Sequence, residues 1–402
     1  MSQSEITAHS SNPKGGISSL SESLDAVIDA AIVENRVVGA VVLVSRDGET
    51  VYARAAGFAD REAGRPMEID TLFRLSSVSK AFVSVAAMVL VHQGKLALGA
   101  PVMTWLPDFR PPLPDGEVQP ITIRQLLSHT SGLGYGFFEL TDGPYHQAGV
   151  SDGMDLSDLT LKENVRRIGS VPLLFAPGTA WHYSLSTDVL GAVIERAAGL
   201  PLPEAVRDLV TDPLGLTATG FAVADPVRLA AAYTGEPTGA RRMADLEIIP
   251  LPFIEGSEGL RMSPGRAFDA NAFPSGGAGM IGSAGELLVL LEALRKGGAP
   301  LLPDELVEEM ATDQTPGMKL APWPGRGFGL GFTILRDPAL AGLPETPGTW
   351  RLGGAYGHSW FVDRTKGLSV VAFTNAGLEG QSPGGRFPDD VTRAIYREKA
   401  AD

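Results

Sequence analysis

Ser77-Val78-Ser79-Lys80 sets a hydroxyl and an amine one helical turn apart, so both side chains lie on one face and can touch. A serine hydroxyl is a weak nucleophile until a base takes its proton. A lysine is such a base only when its ammonium form is destabilised, by burial or by the positive end of a helix dipole. Both conditions stand nearby. Lys80 falls in the first turn of a helix expected to run to about Gly94. Ala81-Phe82-Val83 and Val85 to Val91 make that helix apolar nearly all round, so it should be buried. A serine at its start can cap the orphan N–H groups, and Gly94 suits its end. Taken alone, S-x-x-K also fits a capping serine beside a solvated lysine, so the context has to decide.

That context is four segments downstream. Thr122 to Leu133 reads TIRQLLSHTSGL, and Ala176 to Ser184 reads APGTAWHYS. Ser275 to Met280 reads SGGAGM, and Gly353 to Trp360 reads GGAYGHSW. In this order and at these spacings the chain resembles the serine β-lactamase and penicillin-binding-protein superfamily. It is most similar to the family VIII carboxylesterases, the class C β-lactamase-like esterases. The resemblance runs from about Leu20 to Tyr396. It implies that Ser77 is the nucleophile, Lys80 its partner, and Tyr183 the tyrosine of the family's Y-x-N motif. A phenol beside a lysine gives or takes a proton readily. The resemblance also lays the K-T-G motif on Leu352-Gly353-Gly354, on a strand that would set the Ala355 N–H opposite the Ser77 N–H as an oxyanion hole.

Two positions depart from that pattern. Leu185 replaces the Asn of Y-x-N, and Leu352 replaces the Lys or His of the third motif. Those polar groups hold the amide and carboxylate of penicillins and peptides, so their loss leaves simple esters as the expected substrates. A similar W-G-G serves related esterases, but here the Trp position is Leu352 and the nearest tryptophan is Trp350. Short-chain ester hydrolysis through an acyl-enzyme is therefore the first expectation. β-Lactam or amide hydrolysis and acyl transfer share the same intermediate and stay open, as does a non-catalytic, ligand-binding relative. Whether Lys80 or Tyr183 takes the Ser77 proton also stays open. Substrate contacts are expected from Tyr135, Leu185, Leu352, Gly353, Gly354 and His358. Phe137-Phe138 lines the acyl pocket or sits in the core.

Other chemistry is weaker. The six histidines show no metal-ligand spacing, so no metal and no cofactor is expected. His129 is read as orienting loops, and Asp188 as a helix-surface carboxylate. Gly380-Gln381-Ser382-Pro383-Gly384 matches G-x-S-x-G, but that elbow needs a strand–turn–helix and a later histidine, and none follows His358. A Gly-rich loop is the expected structure there.

These groups must be carried by a large framework. Gly39–Arg46 and Glu49–Ala56 are β-rich runs joined by Asp47-Gly48, a hairpin signal because both turn positions need positive φ. Thr71–Leu75 is a third strand. Ile121–Ser128, Leu161–Ile168, Asp188–Ala198 and Leu202–Val210 read as helices, with no convincing strand pairs between Lys95 and Pro250. Strands return at Gly329–Leu335, Tyr356–Asp363 and Leu368–Asn375, and Pro388–Lys399 closes the chain as a helix. The expected class is α/β of the α+β type. A mostly antiparallel sheet, completed by both chain ends and flanked by helices, carries an inserted all-helical domain. The expected domains are 17–94 with 255–402 for the sheet and 95–254 for the helices, after a disordered lead-in at 1–16. The formal charge of −14 disfavours nucleic acid and anionic membranes. With no cysteine, thiol chemistry is excluded. Neither an apolar leader nor a spanning segment is visible, so the expectation is a cytoplasmic protein acting on a small-molecule ester, its oligomeric state open.

Overall fold

A computed structural model describes residues 15–223, 225–235, 239–251, 255–381 and 385–397 of the 402-residue chain. Nearly all of the expected lead-in, Ser382 of the G-x-S-x-G match and the last residues of the closing helix lie outside the described residues.

Alternation and turn chemistry build the sheet as expected. Strands β1 (Gly39–Arg46) and β2 (Glu49–Asp60) pair antiparallel across Asp47-Gly48, whose φ values are 53° and 93°. The 2-residue strand β3 (Arg65–Pro66) edges β2. Strands β4 (Leu72–Arg74) and β5 (Ile281–Ser283) form a separate pair that leads into the Ser77 turn. The late strands are β6 (Arg326–Phe328), β7 (Thr333–Leu335), β8 (Trp350–Gly354), β9 (His358–Asp363) and β10 (Leu368–Thr374). The main sheet runs β6-β7-β8-β9-β10-β1-β2-β3, so the two ends of the chain meet where β1 pairs with β10. Val41 and Leu43 of β1 point to one face and Val42 and Val44 to the other, and all four are buried. A sheet covered on both sides follows.

The second face is covered by helices α1 (Gly15–Val33) and α8 (Phe387–Tyr396), through Leu20, Leu24, Ile28, Val391 and Ile395. The first is covered by α2 (Ser79–His92) and α7 (Ala284–Arg295). Between them in sequence lie α3 (Ile123–Leu127), α4 (Leu161–Ile168), α5 (Ser186–Ala198) and α6 (Leu202–Val206), the last continuing as a π turn through Thr211. Helix α3 begins with a full capping box between Thr122 and Gln125.

Some expectations need correction. The stretch expected to lack strands holds Tyr233–Thr234 paired with Arg241–Arg242, and Glu247–Ile249 paired with Leu260–Met262. Strands of two or three residues are too short to show alternation. The run expected at Gly329–Leu335 is a turn followed by the 3-residue β7. No serine side chain caps α2; Ser79 Oγ instead accepts the Met280 N–H at 3.1 Å. Among the described residues, no helix is long and apolar enough to cross a membrane.

Helix α2 is the core's central rod, with Phe82 fully buried. Phe82→Ala should lower stability by about 3–5 kcal/mol in urea unfolding. Leu340→Ala, at a 63 % exposed position, should change it by less than about 0.5 kcal/mol. Equal effects would show that α2 does not carry the core.

Candidate active site

A 3₁₀ turn at Ser76–Val78 hands the chain to α2. Ser76 lies at φ 42°, in the left-handed region, a conformation that costs about 1–3 kcal/mol for a non-glycine residue. The neighbours hold it there. Ser76 Oγ accepts the Tyr356 N–H at 3.3 Å, and Leu75 N–H donates to Met280 O at 2.9 Å. Strand β8 closes from the other side. A Cβ on Gly354 would stand 2.5 Å from Leu75 O and 2.6 Å from Ser76 Oγ, so the close approach requires glycine.

One turn on, Lys80 Nζ reaches Ser77 Oγ at 3.2 Å and donates to Gly277 O at 2.8 Å. Lys80 is fully buried. Its amine lies 4.7 Å from the ring centre of Tyr183 and 5.4 Å from that of Tyr135. Burial pulls its pKa down to about 7, while the carboxylates of Asp188 and Asp152 work weakly in the opposite sense. Gly277 is needed for this approach, because a Cβ there would meet Asp188 Oδ2 at 2.5 Å and Tyr135 Oη at 3.0 Å.

Tyr183 enters from the loop before α5. Burial holds its phenol protonated well above the ordinary range, with a hydrogen bond to Ser77 acting the other way. The His129 ring lies 4.7 Å from the Tyr183 ring. His129 Nδ1 accepts the Ser184 N–H at 3.2 Å, which fixes the ring beside Tyr183. Its burial holds it neutral.

Asp188 is not the surface carboxylate expected. It is fully buried in the first turn of α5 and accepts from Ser275 Oγ at 2.6 Å. Helix periodicity alone did not reveal this, because the face it lies on is covered by the distant 275–280 segment. Asp152 was missed altogether. Its carboxylate accepts the N–H groups of Gly136 and Phe137, each at 2.9 Å, and burial raises its pKa to about 7. No local pattern marks it, since Asp-Gly reads as an ordinary turn.

Two lobes of one cleft meet at Ser77, Tyr183, Trp323 and Gln381. The larger, about 320 Å³, has Leu352 and Gly353 on its wall with several charged side chains. The smaller, about 60 Å³, is mainly aromatic, with Tyr135, Phe137 and Phe138, and includes Ala355. Phe137-Phe138 is therefore pocket wall. Three expected contacts fall elsewhere. Leu185 is fully buried in the core, Gly354 packs against the Ser77 turn, and His358 faces away. The His358 Nε2–H donates to Arg74 O at 2.8 Å, and the ring sits against Phe73 and Phe373. Across the β8–β9 hairpin His358 pairs with Gly354 and Ser359 with Gly353, so His358 lies on the face opposite the cleft-lining Gly353 and Ser359. Among the described residues, no three His, Asp or Glu side chains are grouped to hold a metal ion.

An antiparallel sheet closed by both chain ends, with a serine and a buried lysine at the start of its covering helix, defines a serine-based acyl-transfer scaffold. The chain belongs to the beta-lactamase family, whose profile matches residues 24–390. It is 52 % identical to the esterase EstB of Burkholderia gladioli over 365 residues, covering 90 % of this chain and 92 % of that protein. The solved structure of EstCE1, described as a hydrolase with promiscuous acyltransferase activity, superimposes with a TM-score of 0.92 at 45 % identity. That match covers 95 % of this chain and 100 % of EstCE1. Simvastatin synthase (LovD) of Aspergillus terreus shares the fold, with a TM-score of 0.72 at 23 % identity over 94 % of this chain and 98 % of its own.

The amine beside Ser77 sets a pH dependence with a definite sign. Neutral lysine accepts a proton and ammonium does not. Labelling of Ser77 by a fluorophosphonate should therefore rise about tenfold per pH unit up to about 7 and then level off. Asp188→Asn removes a carboxylate that favours the ammonium form, so the midpoint should move to lower pH. Labelling rates across pH 5–9 check this (about two units either side of the midpoint); a midpoint that rises in the variant contradicts it.

Proposed function

We propose that the protein is a serine carboxylesterase that cleaves short-chain esters through an acyl-enzyme on Ser77. The observation that carries this reading is the buried Lys80 amine 3.2 Å from Ser77 Oγ, with its pKa brought down to about 7. Ser77 Oγ attacks the ester carbonyl carbon as its proton passes to neutral Lys80. The N–H groups of Ser77 and Ala355 hold the developing oxyanion, consistent with Ala355 on the cleft wall beside Ser77. The C–O bond to the alcohol then breaks. Tyr183 gives its proton to the leaving alkoxide and recovers one from the Lys80 ammonium. Water repeats the sequence on the acyl-enzyme. Burial that keeps the Tyr183 phenol protonated supports Lys80 as the base and Tyr183 as the acid.

Leucine at 185 and 352 supports esters over β-lactams and peptides, since neither offers a hydrogen bond to an amide or a carboxylate. The identity to EstB supports the same choice. Acyl transfer to an alcohol is the second reading. It is favoured by the description of EstCE1 and by a larger lobe able to admit an acceptor. The reading includes a sheet domain of 17–94 and 255–402 beside a domain of 95–254, and a cytoplasmic location that cell fractionation would check.

p-Nitrophenyl butyrate should be cleaved with a burst of p-nitrophenol that Ser77→Ala abolishes. Lys80→Arg keeps the charge but stays protonated, so kcat should fall by about 10²–10⁴ while circular dichroism shows a folded protein. If Lys80→Arg keeps most of the rate, the base is Tyr183.

A further inference from the structure

The smaller, aromatic lobe has one carboxyl on its wall, that of Asp152, and among the described residues no lysine, arginine or histidine lines it. Asp152 is half-buried, and part of its surface opens on the lobe. Its two oxygens accept the N–H groups of Gly136 and Phe137, one each, at 2.9 Å. An ionised carboxylate has about four acceptor sites, so about two are left over. Among the described residues Asp152 forms no ion pair, and the charged side chains that act on it most are the carboxylates of Asp155 and Asp188. The cations of the neighbourhood are engaged elsewhere. Burial brings Lys80 toward the neutral amine, Arg266 donates to Asp155 O and Phe273 O, and His146 stands 3.2 Å from Glu258.

The rest of the wall has the same preference. Tyr135 and Phe137 stack with ring centres 4.4 Å apart, and Phe138 tilts against Phe137 at 4.6 Å. Tyr183 lies 5.5 Å from Tyr135 and 5.4 Å from Trp323. All five rings border the lobe. An aromatic face attracts a cation through its quadrupole. An anionic acyl group would meet the charge of Asp152. A purely apolar one would fill the space and leave that carboxylate desolvated without a counter-charge. A compact ammonium satisfies the carboxylate and the rings together. The lobe's volume of about 60 Å³ admits about four heavy atoms, which places the nitrogen about two or three carbons from the ester carbonyl.

We propose that the smaller lobe is an ammonium subsite, and that the acyl half of the preferred ester ends in a primary ammonium. This rests on the esterase reading, with the smaller lobe as the acyl side. Ethyl 3-aminopropanoate and ethyl butanoate differ by an ammonium in place of a methyl group, as do ethyl 4-aminobutanoate and ethyl pentanoate. At about pH 8 the Asp152 carboxyl and the Lys80 amine have both lost their protons, while an alkyl ammonium with a pKa of about 10 keeps its own. Dividing each kcat/KM by the ester's rate of alkaline hydrolysis removes the inductive effect of the charge. In at least one pair the charged ester should then lead by about tenfold, equivalent to about 1.4 kcal/mol. Asp152→Asn keeps the size of the side chain and should bring that ratio to about one or below. Phe138→Leu removes one ring and no charge, and should shrink it to about threefold. Each ratio compares two esters on one protein, so a general loss of activity cancels. Charged esters no better than their isosteres in both pairs would overturn the subsite. So would a tenfold lead that persists in Asp152→Asn, because Asp152 would then only hold the turn at 136–137. If Asp152→Asn does not fold, Phe138→Leu decides, and an undiminished lead there overturns the subsite. p-Nitrophenyl butyrate separates the two levels. If it is cleaved with a burst while the ammonium has no advantage, the subsite alone fails; if it is not cleaved and Ser77 is not labelled, the esterase reading fails and the subsite with it.

Discussion

The desolvated amine of Lys80 is the constraint on which the rest of the site depends. An ammonium ion in a dry interior is costly, and burial lowers its proton affinity until the neutral amine is available near pH 7. Each neighbour serves that state. The apolar helix α2 excludes water from below, two tyrosine rings cover the amine, and Gly277 O takes one of its hydrogens. Asp188 and Asp152 stand close enough to push back, but Asp188 is fully buried and Asp152 half-buried, and desolvation shifts both carboxyls toward the neutral form. Had either been solvated and ionised at the same distance, Lys80 would be a better cation and a poorer base.

The fold supplies this environment from far apart in the chain. Helix α2 follows a strand near the N-terminus, while the segment 275–280 and strand β8 that close over it come two hundred residues and more later. The strained Ser76 persists because these three segments hold it from different sides. Register between β1 and β10 is therefore a functional quantity as well as a structural one. A one-residue slip would exchange the two buried faces of the sheet and move β8 off the Ser77 turn.

The two lobes of the cleft differ in the physics of their walls. The aromatic lobe binds by area and shape. The larger one is built on the Arg326–Glu345–Arg351 ion triad. Such triads contribute little net stability, because desolvation offsets most of the attraction. Their effect is geometric: they hold two guanidinium planes at the sheet edge beside the first turn of α8, where Asp389 stands.

Sequence alone determined the elements whose signal is local. The Asp47-Gly48 hairpin, the apolar helix after Ser77 and the one-turn spacing of Ser77 and Lys80 follow from turn chemistry and periodicity. Tyr183 and the Leu352-Gly353-Gly354 strand came from motif resemblance, and the structure brings Tyr183, Leu352 and Gly353 to the same cleft as Ser77. Only the tertiary structure decided which polar groups are buried. Asp188 carries no local mark, because its burial is set by the remote segment that packs over it, and half-buried Asp152 is marked only by the N–H groups of Gly136 and Phe137 that the fold turns onto it. His358 went the other way: nearness in sequence to Ala355 suggested the site, but it pairs with Gly354 on the face opposite the cleft-lining Gly353 and Ser359. The charge-balanced cluster of Arg326, Arg351, Glu345 and Asp389 was likewise invisible, since it joins β6, β8, the segment before β8 and α8, and no spacing along a chain encodes a contact among four such pieces.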